Sequence, residues 1–297
     1  MNYIAVDWGT SNFRAIRVTD GQIAAIVQSD QGVGRCQREM LPLILQQQIA
    51  RLGEHYHQQL PVIVCGMAGS NIGLCDAGYQ SLPLAFSALQ DKGIPLPGIL
   101  PNPLTIKAGI SSPAEWEVCR GEEMQLLGAL YLSDARIFAA VGTHSKWLTV
   151  DRDHQQITGL CTLMSGELYN LLLNHSVVGK GLPPQTFSRE HFLAGVDSAA
   201  LAKAQQRDLM TELFRCRGRY ILGQFDAAYA ACWLSGFLTA HELLTGHPRQ
   251  QPVCFIGASS LLEHYQLASH HLELPCTTLA AEEALIAGLN KVFEHDV

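Results

Sequence analysis

A chain of 297 residues has room for two domains or one large one, and with 47% apolar residues it can bury a full core. Only 16% of the residues are charged, and the net charge of −7 is spread without long blocks, which argues against a nucleic-acid surface. This balance agrees with an enzyme that handles small molecules.

The chain opens as an apolar strand running into Asp7, then the turn Trp8-Gly9-Thr10-Ser11-Asn12, then, past Phe13 and Arg14, a strand at Ala15–Val18. Asp20-Gly21 leads into a third strand, Gln22–Val27; a two-residue Asp-Gly loop between β-forming runs is a strong hairpin signal. The first turn offers N–H groups, hydroxyls and a carboxylate. These are the parts that hold a phosphate and its metal ion, and equally the parts of a plain polar hairpin tip.

Apolar residues at helical spacing (Leu41, Ile44, Leu45, Ile49, Leu52) predict a helix over 40–59, weakened by Gly53. Pro61–Cys65 reads as a strand buried on both faces, and it enters the small-residue loop Gly66–Gly73. Ligands in open α/β sheets bind beyond the carboxyl ends of strands, so Ser70 and Asn71 are candidates to face one; helix N-capping is the alternative. Residues 81–113 carry six prolines, which excludes long helices and suggests short strands, Leu104–Ile106 among them. The first domain is expected to give way to the second here.

Arg120-Gly121-Glu122-Glu123 opens a helix through Leu132. Acids in a first turn suit the helix dipole, and a carboxylate beside a glycine at a helix start also suits a general base. The next strand, Ile137–Val141, enters Gly142-Thr143-His144-Ser145-Lys146-Trp147 and leaves as Leu148–Val150; a turn at Asp151–His154 and a strand at Gln156–Leu163 follow. This repeats the opening: Gly142-Thr143 matches Gly9-Thr10, and Asp153 matches Asp20 at the same offset. Asp7 aligns with Ala140, so only the first turn is expected to handle a metal.

Met164–Glu167 opens a helix over Leu168–Leu173, 179–190 reads as a loop, and 189–217 as mostly helical. Asp226–Leu244 is a long apolar packing helix ended by Gly246 and Pro248. The buried strand Val253–Ile256 flows into Gly257-Ala258-Ser259-Ser260 and a helix at Leu261–Ser269, a place where a ring or phosphate can approach the backbone. A last strand, Cys276–Leu279, and a closing helix, Ala281–Phe293, complete the chain, with Ala287-Gly288 leaving room for close packing. The nine cysteines show no metal-like spacing and read as reduced thiols of a cytoplasmic protein. Neither a signal peptide nor a membrane span is expected.

Four small-residue loops at strand ends (9–12, 66–71, 142–146, 257–260) together with the acid pair resemble the actin, hexokinase and sugar-kinase superfamily, over nearly the whole chain. Asp7-Trp-Gly-Thr-Ser-Asn-Phe-Arg14 is similar to the first phosphate motif of glycerol kinases, Asp-x-Gly-Thr-[Thr/Ser]-x-x-Arg. Gly121–Gly128 resembles their Gly-Asp-Gln-Gln-Ala-Ala-Leu segment, whose acid is the catalytic base. That acid falls on Glu122, as Glu in place of Asp, with Glu123 the remaining alternative. Adding Gly-Met-Ala-Gly-Ser-Asn71, Gly-Thr-His-Ser-Lys-Trp147 and Met-Ser-Gly-Glu167 narrows the resemblance to the 2-dehydro-3-deoxygalactonokinase family.

This resemblance implies an α/β fold of two related ribonuclease-H-like (actin-like ATPase) domains with a nucleotide cleft between them. The first would span 1–113 and be joined by the closing helix 281–297; the second would span 114–280 and carry the catalytic acid, second phosphate hairpin and adenosine loop. It implies ATP-dependent phosphorylation of 2-dehydro-3-deoxy-D-galactonate to its 6-phosphate. Asp7 would hold Mg²⁺ through water and Glu122 would be the base. Gly9, Thr10 and Ser11 would hold the transferring phosphoryl; Gly142, Thr143 and His144 the other phosphates; Gly257, Ala258 and Ser259 the adenosine. Asn12, Ser70 and Asn71 would contact substrate. Arg14 and Lys146 would neutralise phosphate charge or be surface cations, and Glu167 would touch substrate or serve the helix dipole. Trp8 and Trp147 are expected to pack. A homodimer without nucleic-acid or membrane partners is expected. The rivals are a kinase for another sugar or sugar acid, a switch ATPase of the actin/heat-shock type, and a polyphosphate phosphatase.

Overall fold

The computed structural model describes residues 1–53, 60–91 and 93–294. By contacts the chain forms two compact units: Met1–Asp134 with Leu148–Cys161 and Ala281–Val297, and Ala135–Trp147 with Thr162–Ala280.

The first unit opens with β1 (Tyr3–Trp8), β2 (Phe13–Thr19) and β3 (Gln22–Ser29), then α1 (Leu41–Ala50) and β4 (Val62–Gly66). Asp20 and Gly21, at φ of 52° and 75°, form the turn between β2 and β3. Positive φ at both positions matches the right-handed twist of the strands it joins. Helix α1 is shorter than the 40–59 expected; it stops at Ala50, and 54–59 lie outside the described residues. The proline-rich region gives β5 (Tyr79–Ser81), β6 (Leu84–Ala85), the single turn α2 (Phe86–Leu89), β7 (Ile94–Pro95) and β8 (Leu104–Ile106). β9 (Gly109–Ser112) and β10 (Glu117–Cys119) lead to α3 (Glu122–Leu132).

The main sheet of this unit has the order β3-β2-β1-β4-β8-β7, with β1, β4 and β8 parallel. Helices cover such strands on both faces, so β1 and β4 are apolar runs and not alternating ones. A separate three-stranded sheet has the order β10-β9-β5.

The second unit begins with β11 (Ile137–Ala140) and the first residues of β12 (Ser145–Asp151), and resumes at the end of β13 (Gln156–Leu163). Helices α4 (Ser165–His175), α5 (Arg189–Ala204), α6 (Leu209–Ile221) and α7 (Ala230–Gly246) follow, then β14 (Val253–Gly257), α8 (Ser259–His271) and β15 (Cys276–Ala280). The helical stretch expected over 189–217 is two helices. Asp208 caps the second by accepting from the Met210 N–H, which restarts the helix after Gln206 at φ 52°. The strand order β13-β12-β11-β14-β15, with β6 at the β13 edge, repeats β3-β2-β1-β4-β8 of the first sheet.

Two expectations need correction. The turn at Asp153 is not a second copy of Asp20-Gly21. It is longer: the Asp151 carboxylate accepts from the Asp153 and His154 N–H groups, and the left-handed residue is Gln155, at φ 51°. The domain boundary at 113/114 also moves, because α3 belongs with the first unit. Helix α3 crosses α9 (Ala281–Glu294) at Gly128 and Gly288, where a Cβ on either glycine would strike the other helix's backbone. The acid helix is thereby fixed to the closing helix, and by contacts both fall in the first unit.

Candidate active site

The first candidate turn caps the carboxyl end of β1. The Gly9 N–H donates to the Asn12 carbonyl (2.9 Å), which leaves the Thr10, Ser11 and Asn12 side chains exposed at the tip. A loop missed in the sequence supports it from behind: the Val33 N–H donates to Gly9 O and the Gly34 N–H to Thr10 O, both at 2.9 Å. A Cβ on Gly32 would collide with the Thr10–Ser11 peptide, so only glycine lets this loop lie so close. Trp8 packs edge-on against Phe13, and its indole N–H donates to Gln31 O at 2.8 Å. Asp7 and Arg14 face each other across the β1–β2 ladder. Arg14 Nη2 donates to Asp7 Oδ2 at 2.9 Å, while Nη1 lies 3.6 Å from the Glu282 carboxylate of α9. Arg14 is thus committed to two carboxylates.

The acid pair comes to the same strand ends. Gly66, at the end of β4, pairs with Trp8 and has φ 85°; Gly121 has φ 107°, and a Cβ there would lie 3.3 Å from the Gly66 Cα. These two left-handed glycines let the start of α3 abut β4. Glu122 is half-buried, and its Oε2 accepts from the Arg120 N–H at 3.1 Å. Glu123 is fully buried. Its Oε2 accepts from the Gly121 N–H at 2.5 Å, and its Oε1 has no hydrogen-bond partner. Burial, and then the Glu122 carboxylate, push the Glu123 carboxyl up to about 8, so it is protonated at neutral pH. Buried Cys65 senses both sites: burial, then Asp7 and Glu123, hold its thiol well above the ordinary value.

In the second unit, the turn after β11 is tied down by a buried network. The Gly142 N–H donates to Ser145 Oγ (3.4 Å), and Ser145 Oγ meets Tyr265 OH (3.3 Å). Tyr265 donates in turn to Glu242 Oε2 (2.7 Å). Glu242 also accepts from the Trp147 indole (2.9 Å) and from the Ser165 hydroxyl. Burial raises the Glu242 carboxyl, and these donors act against the rise. The sequence did carry a signal for Glu242: it is the lone acid of the apolar helix α7. A small cavity of about 170 Å³ beside the turn is lined by Gly142, Ser165, Gly166, Leu261, His264 and Tyr265. Gly257 ends β14, with Ala258 and Ser259 exposed at the start of α8.

The structure qualifies several of the sequence candidates. Ser70 is buried, and its hydroxyl donates to Met67 O (2.7 Å); Asn71, next to it, is exposed. His144 and Glu167 pair with each other at 2.6 Å. The Lys146 ammonium donates to Thr162 Oγ1 (3.0 Å), across to β13. For a divalent ion the fitting donors are Asp7, whose Oδ1 is left over by Arg14, and the exposed hydroxyls of Thr10 and Ser11. Such a hard oxygen set suits Mg²⁺.

A model of the 2-keto-3-deoxy-galactonokinase family matches residues 7–292. The 2-dehydro-3-deoxygalactonokinase of Escherichia coli (strain K12) is 33% identical over 98% of this chain and 97% of that protein. A crystal structure from Sinorhizobium meliloti, provisionally named a 2-dehydro-3-deoxygalactonokinase, is 29% identical and superimposes with a TM-score of 0.87 over 99% of this chain and 98% of that one. The activator of the 2-hydroxyisocaproyl-CoA dehydratase from Clostridium difficile, solved with bound ADPNP, is 10% identical with a TM-score of 0.50, over 99% and 95% of the two chains. It shares the actin-like fold alone.

Proposed function

The chain belongs to the 2-keto-3-deoxy-galactonokinase family, and on that premise we propose how its residues transfer a phosphoryl group from ATP to 2-dehydro-3-deoxy-D-galactonate. The product is the 6-phosphate, formed in galactonate catabolism. Phosphoryl transfer asks a protein mainly for positioning and charge neutralisation.

Glu122 is the base that accepts the proton of the attacking hydroxyl. The observation that carries this role is the contrast within the acid pair. Glu123 is fully buried with its carboxyl pushed up to about 8, which keeps it mostly protonated and away from an incoming hydroxyl, whereas Glu122 is half-exposed at a helix start. Thr10, Ser11 and the Gly9 region hold the transferring phosphoryl through hydroxyl and backbone donors. Asp7 would hold Mg²⁺, and Arg14 orients the Asp7 carboxylate. When bound, Mg²⁺ neutralises phosphate charge. Gly142 and Thr143 hold the other phosphates; His144, paired with Glu167, and Lys146 border them. Gly257, Ala258 and Ser259 border the adenosine. Asn12 and Asn71 contact the sugar acid, and Ser70 fixes the loop that carries Asn71.

Replacing Glu122 with Gln is expected to lower turnover about 100-fold or more while ATP binding persists. Near-normal turnover would sink the base assignment. An assay across sugar acids, neutral sugars and glycerol checks the substrate; a preference for the neutral compounds would refute the galactonate reading. The nine free thiols support a cytoplasmic, reducing location. The proposed assembly is a homodimer, which light scattering tests.

A further inference from the structure

We infer that a cavity of about 340 Å³ in the first unit, lined by Gly78, Tyr79, Leu89, Asp91, Lys107 and Glu123 among others, receives the carboxylate end of the sugar acid, with Lys107 as its charge partner. The inference rests on the kinase reading above and deepens it.

Lys107 directly follows β8, at the carboxyl end of a parallel sheet. It is only 4% exposed. Its ammonium donates to Leu89 O (3.0 Å) and to Asp91 O, and one of its three N–H donors is left over. No carboxylate among the described residues forms an ion pair with it. Burial lowers the pKa of the Lys107 ammonium, and the nearby Glu123 and Asp91 carboxyls only act against that fall; an anionic ligand in direct contact would offset the cost of burying the charge. The lining also includes Glu123, fully buried and with Oε1 unpartnered. Being protonated at neutral pH, it offers an O–H donor and not a second negative charge. The Asp91 carboxylate accepts from the Gly93 N–H through Oδ1 and acts on the Lys107 charge without forming an ion pair with it.

Arg120 reinforces the site from outside the cavity lining. Its guanidinium stacks over the Tyr79 ring (4.3 Å) and donates to Gly78 O (2.9 Å), two of the cavity's walls. Its Nε and Nη1 are buried without partners, so a second uncompensated cation stands at this place. The acid end lodged here leaves the hydroxyl end of the chain for Glu122, whose carboxylate lies within 4.8 Å of that of Glu123.

The test compares the sugar acid with its uncharged C1 carboxamide in wild type and in Lys107→Met. Losing a charge-assisted hydrogen bond is expected to lower kcat/KM for the acid roughly 10- to 100-fold. For the carboxamide the same variant should change it by less than about threefold. Equal losses on both compounds, or none, would overturn the inference. Wild-type enzyme that phosphorylates no sugar acid would instead defeat the functional reading. Ala108→Leu fills the same cavity and keeps every charge, so it serves even where Lys107→Met does not fold. It should raise KM for the acid about tenfold and leave ATP affinity unchanged; an unaltered KM would also overturn the assignment.

Discussion

The two glycine-threonine turns, Gly9–Asn12 and Gly142–Ser145, have one ancestry of shape and two kinds of support. Each follows the first strand of a sheet whose five core strands run in the same order. Each is also approached by a glycine with no room for a side chain: Gly32 against the Thr10–Ser11 peptide, Gly166 against Gly142 and Thr143. They part at the strand end. The first turn has Asp7, held by Arg14, where the second has buried Ala140. The second is fastened from beneath by Glu242 through Ser145, Tyr265 and Trp147. A turn that manages charge must keep a carboxylate near solvent, whereas one that only presents backbone N–H groups can be anchored by a buried acid.

The helices α3 and α9 make the same point. Glu122-Glu123 stand six and five residues before Gly128, and Glu282-Glu283 stand likewise before Gly288. In α3 the second glutamate is fully buried; in α9 it is exposed, and the first pairs with Arg14.

The largest effect that would sharpen the contrast between the turns comes from Asp7→Ala. Turnover should fall about 100- to 1000-fold with the melting temperature little changed. Adding Ala140→Asp to it should restore nothing, and recovery of even a tenth of the activity would show that the turns are interchangeable. The acid pairs separate by pH. Glu123 has a folded pKa of about 8 against an ordinary 4.5, so the folded state keeps a proton that the unfolded chain releases. Its stabilising effect is complete below the unfolded value and is lost as pH rises to about 8, at up to about 1.4 kcal/mol per unit. Denaturant titrations from pH 5 to 8 should show this decline, Glu123→Gln should flatten it, and Glu283→Gln should leave it in place. Glu242→Gln, by weakening the tie beneath the second turn, should cost about 1–3 kcal/mol. It should also raise KM for ATP while leaving KM for the sugar acid unchanged. Gly32→Ala and Gly166→Ala, each overpacked by one methyl, should cost a similar amount, about 1–3 kcal/mol of stability. A harmless Gly32→Ala would show that the first turn does not depend on its backing loop.

Much of this was legible along the chain, because strands, turns and caps are set by neighbouring residues. The internal repeat, the Asp-Gly hairpin, the strand at Gln156–Leu163 and the helix begun by Glu122 all come from local patterns. The absence of a carboxylate at Ala140 was equally visible, and with it the division of labour between the turns. Other features were set by contacts between distant residues. Glu122 and Glu123 are neighbours of one type, and only the packing at Gly66, Gly121 and Lys107 buries one and leaves the other near solvent. The second unit's tie to Glu242 joins residues up to 120 apart in sequence. Likewise, α3 joins the first unit because Gly128 meets Gly288. The sequence by itself determined the elements and the chemical groups available. Only the tertiary structure decided which carboxyl is buried, which cations are buried with it and which helix carries the acid with which sheet, because desolvation and charge pairing depend on neighbours in space.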